Sequence, residues 1–195
     1  MGTAPLLRVT SDLGMHDLPN VPSLALGAGE VTPFELTMAY TVFANGGWAV
    51  RPRSIVQVLD AGGSTALENG VQRRRVLSEG SAFQMVSMLR DVMDRGTGAQ
   101  ARALGVRFDV AGKTGTTDDF KDAWFAGFST AVVAGVWVGL DHPAPIGPEA
   151  YGARVAPDLG RFHAAGRPPA PSGALRTAAV PAPGAAMQNL LSRSA

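Results

Sequence analysis

The stretch Gly112-Lys113-Thr114-Gly115-Thr116 gathers one cation, two hydroxyls and two positions without side chains into five consecutive residues. Such a set suits two kinds of chemistry. Gly-Lys-Thr can close a loop whose backbone N–H groups cradle phosphates, with the lysine reaching the outer ones. Lys-Thr-Gly can also form a strand edge that receives a peptide: the glycine lets a ligand backbone lie close, the lysine supplies a cationic field, and the threonine hydroxyls bind a carboxylate. The phosphate loop needs a glycine five positions before Gly112 and a helix after Thr114. Position 107 is Arg107, and Thr116 leads into a polar turn, Thr117-Asp118-Asp119, and then more strand-like sequence. Both conditions fail. On a strand, Lys113 and Gly115 project to one side, and Thr114 and Thr116 to the other.

The elements that must hold this edge are marked along the chain. Thr32-Pro33-Phe34-Glu35 reads as an N-cap, a first-turn proline and the glutamate of a capping box, so a helix begins there. Phe34, Met38, Val42, Ala39 and Phe43 give it an apolar face, and Asn45-Gly46-Gly47 stops it. A second helix starts after Ser78, buries Ala82, Val86, Leu89 and Met93, and ends at Gly96-Thr97-Gly98. Between them, Trp48 to Asp60 is an extended edge segment interrupted by Pro52 and turning at Ala61 to Ser64, and Arg73-Arg74-Arg75 reads as a solvated loop face. Three strands come next at short spacing, Val106 to Thr116, Ala123 to Phe128 and Ala131 to Asp141, which predicts an antiparallel meander. A helix is expected at Pro157 to Ala165. The fold class is α+β, an antiparallel sheet with helices packed on it. From Gly166 to Ala195 the composition is dominated by Ala, Pro and Gly without periodicity, which predicts a disordered tail; residues 1–165 hold the folded part.

Composition excludes several functions. A formal net charge of +1 with no basic stripe gives no electrostatic case for nucleic acid. Cysteine is absent, so there is no disulfide frame and no thiolate site. His16, His142 and His163 are scattered without ligand spacing, and neither a metal nor a cofactor is expected. No apolar run is long enough for a transmembrane helix, and the first residues carry no signal-peptide pattern.

Lys-Thr-Gly is one of three motifs shared by penicillin-binding proteins and serine β-lactamases, and more than the triplet matches. SLALGAGEVTPFELTMAYTVFANGG (23–47), GTGAQARALG (96–105), AGKTGTTDDFKDAWFAGFS (111–129), VAGVWVGLDHP (133–143) and YGARVAP (151–157) together resemble the C-terminal part of the transpeptidase domain of bifunctional class A penicillin-binding proteins, over roughly residues 6–165. The resemblance implies the β-lactamase/transpeptidase-like fold and an enzyme of peptidoglycan synthesis on the extracytoplasmic, periplasmic side of the membrane. In that family a serine attacks the D-Ala-D-Ala end of a stem peptide, releases D-alanine and passes the acyl group to a neighbouring amine; β-lactams acylate the same serine. By position, Lys113 resembles the lysine that shapes the electrostatics near the nucleophile. Thr114 and Thr116 would bind the carboxylate of substrate or antibiotic, Gly115 would keep the edge open, and the Thr116 backbone N–H would be an oxyanion-hole donor. Asp122-Ala123-Trp124-Phe125 resembles the return strand, with Trp124 a packing residue.

The chain also departs from the family. No serine has a lysine three residues later, and Ser-x-Asn is missing, so the chain contains no recognisable nucleophile. Both motifs precede this segment in the family, and the expectation is therefore a chain truncated at its N-terminus, inactive alone, whose parent carries a glycosyltransferase domain and an anchor upstream. Such a piece would supply only the last three of five strands and leave the sheet face meant for the missing central helix exposed. Two other readings stay open: an inert binding module that kept the strand edge, and a β-lactamase or D,D-carboxypeptidase relative.

Overall fold

The computed structural model of the protein describes residues 2–147, 152–157 and 176–181. Helix α1 (Ala4–Asp12) buries none of its residues. Helix α2 (Pro33–Ala44) starts as its sequence requires: the Glu35 N–H donates to Thr32 Oγ1 at 3.1 Å, and the Thr32 N–H donates to Glu35 Oε2 at 2.8 Å. These reciprocal bonds satisfy end groups that no helical carbonyl can reach. The bond from the Thr32 N–H, joined by one from the Thr32 hydroxyl to the same carboxyl oxygen at 2.8 Å, holds the Glu35 carboxyl below its ordinary pKa. The apolar stripe expected on α2 is only partly realised, because Phe34 is 52% exposed. Thr37, Ala39 and Thr41 to Ala44 are buried instead, on more than one side, since the second half of α2 is enclosed between the sheet and the next long helix. Tyr40, on the same helix, has its phenol pushed above the ordinary value by burial. Helix α3 (Glu79–Asp94) matches the expectation: the Ser81 N–H donates to the Ser78 hydroxyl at 3.1 Å, and Ala82, Val86, Leu89 and Met93 are buried.

Two small ribbons lie between α2 and α3. Strand β1 (Trp48–Val50) pairs antiparallel with β4 (Arg73–Arg75), and β2 (Gln57–Leu59) pairs with β3 (Thr65–Glu68). The arginine run is thus a strand rather than a loop, and its three residues are exposed as expected. Trp48 lies opposite Arg75, and the guanidiniums of Arg73 and Arg75 stack on its ring at 4.7 and 4.5 Å. Residues two apart on a strand share a face, so both cations reach one aromatic surface.

The main sheet has the order β5-β6-β7-β8 and is antiparallel throughout, with β5 Val110–Thr116, β6 Asp122–Ser129, β7 Val132–Gly139 and β8 Arg176–Pro181. Its first three strands are the predicted meander. The fourth corrects the sequence expectation, because Arg176–Pro181 falls in the stretch read as a structureless tail. It supplies six residues to the outer edge of β7, from Val132 opposite Pro181 to Trp137 opposite Arg176. An edge strand's unpaired N–H and C=O groups favour such pairing, and the proline sits at the end of the strand where a missing donor matters least. The rest of the tail, and the helix expected at Pro157 to Ala165 apart from Pro157, lie outside the described residues.

Both faces of the sheet are covered. On one, Ala111, Phe128 and Val133 pack against Phe43, Ala44, Val86 and Leu89 of α2 and α3. On the other, Val110, Phe125, Val132 and Ala134 pack with Met93, Ala101 and Val106, and with Ala156 beyond the one-turn helix α5 (Gly152–Val155). The exposed sheet face expected from the sequence is therefore not found among the described residues. Among the large apolar side chains left in water, one group lies on and beside the β2–β3 hairpin: Ile55, Val56, Val58, Leu59, Leu67 and Val71.

Phe125 explains two glycines of this sheet. A Cβ built on Gly112 or on Gly127 would lie 2.7 Å from Phe125 Cζ, so the ring occupies the space that side chains at those positions would take. The glycines of AGKTG and WFAGF are in this respect packing residues.

Candidate functional site

β5 is one of the two outer strands of the sheet, β8 being the other, and its phase decides which groups face the open edge. The Thr117 N–H donates to Asp122 O at 3.3 Å, and the register pairs Gly115 with Trp124 and Lys113 with Ala126. In an antiparallel ladder bonded and non-bonded pairs alternate, so Gly115 and Lys113 spend their backbone groups on β6. The N–H and C=O groups of Thr114 and Thr116 then point outward. The Lys113 ammonium folds along that edge and donates to Thr114 O at 2.7 Å. It caps an acceptor that an added strand would otherwise use.

Beside this edge stands the turn that closes α3. Thr97 is flanked by two glycines in places that exclude side chains: a Cβ at Gly96 would lie 2.8 Å from Val92 Cα, and one at Gly98 would lie 2.6 Å from Met93 Sδ. The Gly98 N–H donates to Val92 O at 3.0 Å, folding the turn back on the last turn of the helix. The next helix, α4 (Gln100–Ala103), is tied down by Arg102, which bonds Asp94 at 2.6 Å and the carbonyls of Val106 and Phe108 at 3.2 and 2.7 Å. Thr97 is thereby presented to β5. The Thr114 hydroxyl lies 2.9 Å from the Thr97 hydroxyl, and the Lys113 ammonium lies 3.5 Å from it.

At the far end of β5, the Gly152 N–H of α5 donates to Thr116 Oγ1 at 3.2 Å. The Thr116 hydroxyl accepts this bond with one lone pair and keeps its proton for another partner. Trp124, opposite Gly115 on β6, stacks at a tilt against Trp137 with ring centres 6.3 Å apart, and a Cβ on Gly115 would lie 3.1 Å from Trp124 Cβ. Gly115 therefore meets Trp124 closely, and the assignment of Trp124 to packing agrees with its half-buried position. Asp122 accepts from Trp137 Nε1 at 3.4 Å through one oxygen, while its other oxygen is buried without a partner among the described residues.

Lys113, Thr114, Gly115 and Thr116 thus lie together on one open edge. The separation by faces expected from strand alternation is weaker than predicted, because Lys113 and Thr114 both reach Thr97 around the strand margin. Sequence reasoning took Thr97 only as a helix stop and did not connect Gly152 to the edge; the flanking Gly-x-Gly was the available sign that position 97 is held in a tight turn. The cluster offers one cation, three hydroxyls and an outward backbone N–H at Thr116, a set suited to a carboxylate and a developing oxyanion. Among the described residues no group of three or more His, Asp or Glu side chains could hold a metal ion.

A family model for the penicillin binding protein transpeptidase domain matches residues 20–161, which include this edge and both long helices. The chain belongs to that family. Its sequence is 46% identical over 156 residues to penicillin-binding protein 1A of Aquifex aeolicus, covering 80% of this chain and 21% of the relative. It is 42% identical over 161 residues to penicillin-binding protein 1A of Neisseria lactamica, covering 78% and 20%. The transpeptidase-family chain therefore spans about a fifth of the length of these curated relatives. Its fold is similar to the crystal structure of penicillin-binding protein 1A from Haemophilus influenzae, with a TM-score of 0.70 and 26% identity over 78% of this chain and 29% of that one. This likeness agrees with the α+β transpeptidase-like fold expected from the sequence.

Proposed function

We propose that the open edge of β5 is the substrate- and β-lactam-binding side of a serine D,D-transpeptidase that cross-links peptidoglycan stem peptides. The observation that carries this is the placement of Lys113 to Thr116 on an outer strand of a transpeptidase-family sheet, with the Thr114 and Thr116 backbone groups turned outward. A stem peptide ending in D-Ala-D-Ala lies along that edge, its carboxylate against the Thr114 and Thr116 hydroxyls and the Lys113 ammonium. The Thr116 N–H is one donor to the oxyanion of the tetrahedral intermediate, where loss of a donor costs about 3 kcal/mol of transition-state stabilisation. Gly115 keeps bulk off the edge.

The nucleophile and its activating lysine come from a segment upstream of these 195 residues, since no serine here has a lysine three positions on. The parent acts on the extracytoplasmic face of the membrane and carries a glycosyltransferase domain before the transpeptidase. Residues 1–165 belong to the later part of that transpeptidase domain, and the Ala/Pro/Gly-rich stretch after them adds strand β8 to its sheet. No helix among the described residues is long and apolar enough to cross a membrane.

Fluorescent penicillin tests the proposal. The 195-residue chain remains unlabelled after denaturation, whereas the same chain joined to an upstream segment bearing Ser-x-x-Lys and Ser-x-Asn is labelled with one equivalent. In the joined chain Lys113→Ala slows acylation at least ~100-fold, the low end for a positioned acid–base or electrostatic group. Equal rates for Lys113→Ala and the parent would remove the β5 edge from the site. A stoichiometric band on the 195-residue chain, lost on mutating one of its own serines, would refute an upstream nucleophile.

A further inference from the structure

We propose that Thr97 is a carboxylate-binding hydroxyl of the site: it receives the proton that Thr114 donates and offers its own to the ligand, beside Lys113; this rests on the assignment of the β5 edge as the substrate-binding side. Thr97 belongs to neither the Lys-Thr-Gly stretch nor the sheet. It reaches them because the Gly96-Thr97-Gly98 turn is packed onto Val92 and Met93 and presents one side chain toward the strand edge.

The hydrogen bonding sets the direction of its proton. The Lys113 ammonium has only donors, so at 3.5 Å from Thr97 Oγ1 it can only donate to it. The Thr114 hydroxyl donates to the same oxygen at 2.9 Å. Two donors fill both lone pairs of Thr97 Oγ1, and its single proton must point away from both groups. Thr97 is exposed, so that proton faces the open side of the cluster. A carboxylate arriving there meets an O–H already oriented toward it and a cation directly behind that oxygen. Donation from Lys113 and Thr114 polarises the Thr97 hydroxyl and strengthens the bond it gives. Hydrogen bonds to a charged acceptor are about twice as strong as neutral ones, so the contribution is selective for the ionised acid.

The test uses the chain joined to its upstream segment and compares acylation by benzylpenicillin with acylation by its methyl ester, which carries the same reactive ring without the anion. Thr97→Val is expected to slow acylation by the free acid about 10-fold and to leave the already slow ester reaction within about twofold of its parent rate. Thr97→Ser, which restores the hydroxyl, is expected to recover most of the loss. Equal losses for acid and ester would make Thr97 a structural residue only, and an unchanged acid rate would remove it from recognition; either result overturns the proposal. If Thr97→Val does not fold, Thr97→Ala carries the same comparison. Lys113→Ala run in parallel separates the two levels of the argument. A loss with Lys113→Ala and none with Thr97→Val refutes Thr97 alone, whereas no loss with Lys113→Ala refutes the assignment of the whole edge.

Discussion

Gly127→Ala is the sharpest test of how the sheet behind the site is packed. Gly127 does not have a positive φ, so its backbone conformation is open to alanine. On chain entropy alone, replacing glycine with alanine at such a position raises stability by about 0.4–1 kcal/mol. Packing predicts the opposite sign. The new Cβ would lie 2.7 Å from Phe125 Cζ and 2.8 Å from Ala111 O, where ordinary van der Waals contact begins at 3.4 Å. Neither neighbour yields easily. Phe125 is fully buried among Met93, Val110 and Ala134, and Ala111 belongs to β5. Overpacking in a filled interior typically costs about 1–3 kcal/mol, so the net loss should be about 1–2 kcal/mol. Urea unfolding monitored by circular dichroism measures it, and the midpoint should fall at an unchanged denaturant slope. Phe125→Leu shortens the side chain beneath Gly127, so the double variant should lose less than the sum of the two single losses, with a coupling above about 0.5 kcal/mol. A neutral or stabilising Gly127→Ala, or strict additivity, would refute the claim that the Phe125 ring dictates this glycine.

Two further expectations concern the helix above the sheet. Thr32→Ala should cost about 0.5–2 kcal/mol at neutral pH by removing the cap of α2. Glu35 has a depressed carboxyl pKa in the folded chain, so its share of the capping box is complete above the ordinary carboxylate range and lost as pH falls through the depressed value; urea midpoints from pH 7 to pH 2 should show that decline, and Glu35→Gln should flatten it. Asn45 is 6% exposed, and both polar atoms of its side chain lack partners among the described residues. Replacing an amide whose desolvation is uncompensated should raise stability, so Asn45→Leu is expected to gain about 1 kcal/mol in thermal or urea unfolding, and a loss larger than that would show that the amide is satisfied.

What could be read from the sequence was what is encoded locally. Thr32, Pro33 and Glu35 fix the start of α2 within four residues, and Ser78 with the 82-86-89-93 spacing fixes α3, because caps and periodicity act over one or two turns. The first three strands of the sheet were equally visible, and with them the edge that carries Lys113. The features that escaped depend on distant partners. Arg73-Arg74-Arg75 has no apolar alternation to mark a strand; its conformation is set by pairing with Trp48 to Val50, more than twenty residues earlier. Thr97 looked like punctuation because the hydroxyl it meets, on Thr114, lies 17 positions along the chain. The strand Arg176–Pro181 has the composition of a linker and takes its order from the margin of β7. Phe34 matched the spacing of a buried stripe, yet it lies in the first turn of α2, beyond the part that the sheet and α3 enclose.

Trp124 and Trp137 give the site a built-in optical signature. Their ring centres are 6.3 Å apart on neighbouring strands, close enough for the two indole transitions to couple and produce a paired circular dichroism band that an isolated indole lacks. Trp48, the remaining tryptophan of the chain, is stacked with two guanidiniums in a separate ribbon and stands outside that pair. Because Trp124 lies directly opposite Gly115, the coupled band reports the alignment of the two strands behind the ligand edge. The geometry of that edge can therefore be followed in dilute, label-free protein, separately from the unfolding of the rest of the chain.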